Sequence, residues 1–208
     1  MTNSARTTAP SSPPSWTTRI PGQEPEWIVW VTLVVGLLIG WLIMTMVVGR
    51  TTTATVGTAT LSYPARWAKV GEQGAAFAAT DVESGDPFSP RVMLFQTAQR
   101  DLMPRVGTLA DAATTWSIKR GNGLDGYRVL SIEPVTVNGH AAINVASAYL
   151  MEPPRSRLAG TMPALMREVD TLVASGDQYM VLAFAADSTQ FDGYESLHRQ
   201  LLSGWGTR

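Results

Sequence analysis

Cysteine is absent from this sequence of 208 residues, and histidine occurs only twice, at His140 and His198. The lack of cysteine excludes disulfides, thiolate nucleophiles, iron–sulfur clusters and Cys-ligated zinc within the chain. Neither histidine stands at the spacing from another histidine or a carboxylate that a zinc site requires, and the sequence has no G-x-S-x-G motif. We therefore expect no catalytic residue, no cofactor and no metal site.

A basic stripe is also lacking. The chain has 16 Lys and Arg against 17 Asp and Glu, a formal net charge of −1, and no run of like charge is longer than Lys119-Arg120. A nucleic-acid partner needs clustered positive charge that displaces counterions from the phosphates. The sequence therefore predicts no nucleic-acid partner.

One long apolar run is present, from Trp27 to Val48, and it contains no charged residue. As a helix it would be about 33 Å long, enough to cross the hydrocarbon core of a bilayer. A core helix of a soluble protein rarely runs this long without a polar face, and a cleaved signal peptide would have a shorter apolar region close to a small-residue cleavage site. A polar tail of 26 residues precedes this run instead, which favours an uncleaved membrane anchor.

The chain then divides into three parts. Residues 1–24 are rich in Ser, Thr and Pro and are predicted to be a disordered tail, because few apolar side chains are available to offset the entropy of ordering. Residues 25–49 are predicted to be the transmembrane helix. Residues 50–208 are long enough for one folded domain.

Small side chains recur every four residues within the predicted helix, at Thr32, Gly36 and Gly40. They share one helix face, and small residues there let a second helix approach closely. We predict packing against other membrane-protein subunits or against a second copy of this chain. The alternative is that glycine is simply frequent in membrane helices.

Charge leaves the membrane orientation open. Arg6 and Arg19 precede the run, whereas Arg50, Arg66 and Lys69 follow it within about 20 residues. Long domains translocate largely regardless of such charges. The side of the membrane on which the domain lies must come from other evidence.

Two helices are expected in the domain. Thr108 and Asp111 have the spacing of a capping box, which predicts a helix from Thr108 to about Arg120. A final helix is expected to begin near Thr189, with Asp192 three residues on. These helices flank the strand-like runs of the second half.

Two hairpins are expected between these helices. Asn138-Gly139 joins two strand-like runs, and this dipeptide is typical of a type I′ turn. Ser175-Gly176-Asp177 marks the second turn. Strands, a helix, two hairpins and a helix predict an antiparallel β-sheet covered by helices, the α+β class.

Four segments resemble the PsbP-like family: LSYPARW at Leu61 to Trp67, TLADAATTW from Thr108, VTVNGHAAINV from Val135, and GDQYMVLAFAAD from Gly176. The family includes the PsbP subunit of photosystem II, DcrB-like bacterial envelope proteins and a Ran-binding import factor. The resemblance covers about Thr58 to Trp205. It implies an antiparallel sheet with helices on both faces, and it supplies no shared catalytic residues.

The resemblance also implies a function. Such a domain would dock on, or stabilise, a membrane assembly without performing chemistry, and by analogy the partner would be an electron-transfer or photosynthetic complex. Envelope proteins in the family favour a plasma-membrane location with a cytoplasmic N-terminus and an extracytoplasmic domain. The alternative is a free-standing envelope domain that binds a lipid or a small ligand.

Four further groups have ordinary structural interpretations. The loop from Asp81 to Asp86 carries three carboxylates but lacks the EF-hand spacing, so a solvated turn is preferred over a cation site. Arg155 and Arg157 could contact a lipid phosphate or an acidic partner, or be ordinary surface arginines. We expect an exposed His140 and a half-buried His198 that is bonded to backbone or water.

Overall fold

A computed structural model describes residues 26–84, 88–103, 107–153 and 162–207. The chain forms two compact units, Met1–Thr45 and Met46–Arg208. The predicted disordered tail, residues 1–24, lies outside the described residues.

The described residues of the first unit belong to a single helix, α1, over Glu26–Val48. Its segment Trp27–Met46 spans 20 residues at a mean hydropathy of 2.4, and all of these side chains are exposed. The hydroxyl of Thr32 donates to the carbonyl oxygen of Ile28 at 2.8 Å, so this polar group is satisfied within the helix. Length and composition suit either a membrane anchor or a signal sequence.

The described part of the second unit contains ten strands and three α-helices. The strands are β1 Thr51–Val56, β2 Ala59–Pro64, β3 Ala68–Lys69, β4 Phe77–Thr80, β5 Arg91–Ala98, β6 Asp125–Val137, β7 His140–Met151, β8 Ala164–Ser175, β9 Gln178–Asp187 and β10 Trp205–Thr207. The helices are α2 Gln99–Leu102, α3 Leu109–Gly121 and α4 Glu195–Ser203, with 3₁₀ turns at Val82–Ser84 and Phe191–Tyr194.

The strands form two antiparallel sheets. The larger has the order β3-β4-β5-β9-β8-β7-β6, and the smaller has the order β1-β2-β10. Along β9 the buried side chains alternate between the two faces of the larger sheet. Phe184 and Leu201 of α4 belong to the apolar cluster on one face, and Val181 and Trp116 of α3 belong to the cluster on the other. The predicted α+β class, an antiparallel sheet with helices on both faces, is confirmed.

The first predicted hairpin has the predicted turn. Asn138 and Gly139 adopt φ angles of 50° and 83°, and the register closes on Val137 and His140. The side-chain amide of Asn138 donates to the carbonyl oxygens of Leu202 and Trp205, at 3.0 and 2.5 Å. This turn therefore also ties the larger sheet to the C-terminal segment.

One predicted helix start is confirmed and the other is wrong. Thr108 caps α3: the amide of Asp111 donates to the Thr108 hydroxyl at 3.3 Å, and the Asp111 carboxylate accepts from the Thr108 amide at 2.7 Å. Thr189 caps no helix, because its amide and hydroxyl both donate to the Asp187 carboxylate, at 2.8 and 2.6 Å. That local turn leaves α4 to begin at Glu195, after a 3₁₀ turn.

Candidate functional site

Two carboxylates lie buried at the centre of the larger sheet, beneath α3. Glu168 and Asp170 are two residues apart on β8, so they share one face, and both are 0% exposed. Their neighbours on β9 are Ala185 and Ala183. These small side chains leave space above the sheet that larger groups from α3 can enter.

Arg120, at the end of α3, neutralises the first carboxylate. Its Nε and Nη2 atoms donate to the two carboxylate oxygens of Glu168, each at 2.9 Å. The guanidinium also lies 5.1 Å from the ring centroid of Phe95. Burial lowers the pKa of Arg120, but the hydrogen bonds and charge of Glu168 outweigh burial and hold that pKa above its ordinary value. The pair is therefore a charged, bidentate bridge between helix and sheet.

Asp170 forms no ion pair of its own with the described residues. The indole Nε1 of Trp116 donates to its Oδ2 at 2.7 Å, and Oδ1 has no hydrogen-bond partner among the described residues. Burial raises the pKa of Asp170 well above its ordinary value, and the charge of Glu168 raises it further, while Arg120 and Trp116 oppose them. Burial therefore favours the protonated, neutral form of this carboxyl more than water does.

Two tyrosines lie near the same charges on β6 and β7. Burial raises the pKa of Tyr127 to about 12, and it also raises the pKa of Tyr149 above its ordinary value. Ser147 lies beside Glu168 in the sheet register and is fully buried. Neither hydroxyl type stands next to a histidine base, so the cluster does not have the arrangement of a nucleophilic site.

The cluster opens to solvent through two neighbouring clefts. A cleft of ≈ 400 Å³ is lined by Phe95, Trp116, Lys119 and Arg120, among others. A second cleft of ≈ 220 Å³ shares Arg120 with the first and adds Tyr149 to the lining. The volume of the first cleft and its mixed aromatic and polar lining suit a small ligand, so we take this region as the candidate site.

The two histidines lie away from this cluster. His140 is exposed, as expected. His198 is partly buried on the α4 face, where its ring stacks on that of Phe184 with 5.5 Å between the ring centroids. Burial lowers the pKa of His198 to about 4. Its Nε2 atom has no partner among the described residues, so the expected bond to backbone is not made by this atom. A neutral ring packed on an aromatic accounts for this histidine.

The predicted site residues do not converge on the cleft. Thr32, Gly36 and Gly40 all lie on α1, and a Cβ added to either glycine would meet no atom within 4 Å. That open surface leaves their packing role a prediction. Arg155 and Arg157 lie outside the described residues.

The predicted solvated turn at Asp81 is wrong for its first residue. Asp81 is buried, its Oδ2 lies 3.0 Å from the guanidinium of Arg66, and its Oδ1 accepts from the amide of Glu83 at 3.2 Å. The carboxylate thus holds a turn in place, because a partner arginine and a backbone donor compensate its burial. Asp86 lies outside the described residues, and the described part of the chain contains no group of three or more His, Asp or Glu that could hold a metal ion.

Substitution of Arg120 should show how much the burial of an unpaired Glu168 lowers the stability of the domain. We expect Arg120→Met to lower the free energy of unfolding by about 3–5 kcal/mol, because Glu168 would remain buried without a cation. The control is Arg199→Met, since Arg199 forms an exposed pair with Glu195 at 3.7 Å; it should cost less than about 1 kcal/mol. Urea unfolding measures both, and equal losses would contradict a dominant role for the buried pair.

Asp170 should make stability depend on pH. The unfolded chain loses this proton near about pH 4, whereas the native protein keeps it to higher pH, so the unfolded state binds fewer protons and stability falls as pH rises. Asp170→Asn keeps an oxygen acceptor for Trp116 but carries no titrating proton. We expect the variant to show a flatter fall in unfolding free energy from about pH 5 to pH 8. Parallel curves for the two proteins would show that Asp170 does not carry this dependence.

No protein-family model and no curated protein matches this chain. Solved structures do match it. Cyanobacterial PsbP (CyanoP) from Synechocystis sp. PCC 6803 matches at TM-score 0.53 and 13% identity, over 76% of this chain and 92% of that one.

Two other matches have lower TM-scores. LpqN, described as involved in cell envelope biogenesis of Mycobacterium tuberculosis, matches at 0.48 and 15% identity, over 76% of this chain and 91% of its own. The Saccharomyces cerevisiae Ran-binding protein Mog1p matches at a TM-score of 0.46 and 11% identity, over 76% of this chain and 95% of that one. On the likeness to cyanobacterial PsbP, and as the sequence motifs implied, the second unit of this chain has the PsbP-like fold.

Proposed function

We propose that this chain is a single-pass membrane protein whose folded domain is a non-catalytic accessory or binding subunit. The observation that carries the proposal is the segment Trp27–Met46, which presents 20 uncharged residues with every side chain exposed. An apolar surface of this extent is unfavourable in water, and a bilayer is the solvent that matches it. The domain that follows is then held at a membrane.

The proposed location is the plasma membrane, with the N-terminus in the cytoplasm and the domain outside the cell. The support is the sequence resemblance to a family that contains bacterial envelope proteins. The size of the domain fits as well, because long domains translocate largely regardless of flanking charge.

The proposed role is docking on a larger membrane complex and stabilising it. Thr32, Gly36 and Gly40 support this role, because they offer a partner helix an open face. The resemblance to PsbP supports an electron-transfer or photosynthetic complex as the partner. The carboxylate of Glu168 supports a non-catalytic role, since both of its oxygens are engaged by Arg120.

A second candidate function rests on the larger cleft. Its ≈ 400 Å³ volume falls in the range of small-molecule sites, and Phe95, Trp116 and Arg120 supply aromatic and cationic groups to its wall. This candidate is a free-standing envelope domain that binds a lipid or another small ligand.

Affinity isolation in mild detergent tests the first candidate against the second. We expect other membrane subunits to remain attached in stoichiometric amounts, and to be lost from Gly36→Leu/Gly40→Leu, because the larger side chains would separate the helices. The matched control is Val35→Leu/Ile39→Leu, which alters a different face of α1. A native mass spectrum with a small-molecule adduct and no subunit would favour the ligand-binding candidate, and a bare monomer would contradict the accessory role.

Labelling of introduced cysteines tests the orientation, since the natural chain has none. We expect His140→Cys, at an exposed position of the domain, to react with a membrane-impermeant maleimide on intact cells. Ser4→Cys, in the N-terminal tail, should react only after the membrane is opened. The reverse pattern would place the domain in the cytoplasm.

A further inference from the structure

The larger sheet exposes apolar side chains at its β6 edge. Among the described residues β6 pairs with β7 alone, and over its 13 residues Val129, Leu130 and Ile132 are 42%, 58% and 38% exposed. An edge strand carries unpaired backbone groups, and exposed apolar residues beside them mark a surface for a partner strand.

The register shows which backbone groups face the open edge. A two-residue hairpin closes on a hydrogen-bonded pair, here Val137 with His140, and such pairs alternate with non-hydrogen-bonded ones. Pro134 therefore falls in a non-hydrogen-bonded pair, so its nitrogen, which carries no hydrogen, faces outward. By the same alternation the backbone of Ile132 faces the open edge.

An irregularity in the ladder extends this pattern. Val129 is paired with Ser147 and Ser131 with Ala146, so Leu130 is an extra residue, a β-bulge. On either side of a bulge the paired residues resume their alternation, which places Val129 in a non-hydrogen-bonded pair like that of Ile132. Both residues therefore present donors and acceptors to the open edge.

The side chains of this segment are placed so that they can pair with those of a second, identical segment. Arg128 and Glu133 are paired with Ala148 and Asn144 of β7, four residues apart, so the two charges share one face of the sheet. Val129 and Ile132 are paired with Ser147 and Val145, which are two residues apart on β7. They therefore share the other face of the sheet.

A two-fold axis between Leu130 and Ser131 would bring these pairs together. In an antiparallel pairing of two β6 strands about that axis, Arg128 of each copy faces Glu133 of the other. Val129 of each copy then faces Ile132 of the other. Opposite charges meet on one face and apolar side chains meet on the other, each twice.

We infer that β6 is a homodimer interface, with a second copy of this chain as its partner. The match of charge to charge and apolar to apolar under one axis selects β6 itself over an unrelated strand, which would share only the backbone bonds. Pro134 removes one donor per copy and the bulge adds twist, so the pairing is confined to about residues 127–134. This interface is separate from the α1 face in the proposed function.

Charge reversal in the full-length chain, purified in detergent, tests the inference by mass from analytical ultracentrifugation. We expect a dimer whose dissociation constant rises about tenfold or more in Arg128→Glu and in Glu133→Arg, because each change replaces two attractions by two repulsions. Mixing these two variants, or combining both changes in one chain, should restore the dimer, since opposite charges then face each other again. Arg199→Glu, an exposed reversal of the same size on α4, should leave the mass unchanged.

The same measurements in the Gly36→Leu/Gly40→Leu background remove any association through α1. A dimer that persists there and responds to the charge reversals supports the β6 interface, whether or not larger subunits are retained. A monomeric wild-type chain, a dimer indifferent to both single reversals, or a double reversal that fails to restore association would each overturn the inference.

Discussion

The bidentate contact between Arg120 and Glu168 is the constraint on which the α3 side of the domain depends. It joins the last turn of a helix to the centre of the sheet through two hydrogen bonds of 2.9 Å. The geometry is strict, because both oxygens of a buried carboxylate must meet the fork of the guanidinium. That requirement fixes where α3 ends above the sheet, and with it the walls of the two clefts that Arg120 lines.

Local chemistry made much of the fold predictable. Asn138-Gly139 and the Thr108–Asp111 capping box each determine their conformation within a few residues, and both are present as predicted. Thr189 satisfied the same kind of rule and failed, because Asp187 lies closer in sequence and takes its amide and hydroxyl. A capping signal is thus decided by competition between neighbouring acceptors, which a pattern of residue types does not rank.

The candidate site was not predictable from the sequence in the same way. Glu168 and Asp170 alternate with Val169 along β8, a pattern typical of a strand with one face in water. They are buried only because α3 covers that face and brings Arg120 and Trp116 from about 50 residues earlier in the chain. The small Ala183 and Ala185 opposite them were the available signal, since two alanines in an apolar strand leave a space that some larger group must occupy.

The distribution of polar groups also bears on function. The interior of the domain engages the charges of Arg120 and Glu168 in a structural contact, and its two histidines lie away from them. In the part of the chain that the structure describes, two exposed features have no partner: the apolar length of α1 and the edge of β6. A membrane-anchored chain moves in two dimensions, where copies and partners meet at high effective concentration. If the chain is anchored as proposed, that condition would favour the pairing inferred for two β6 edges.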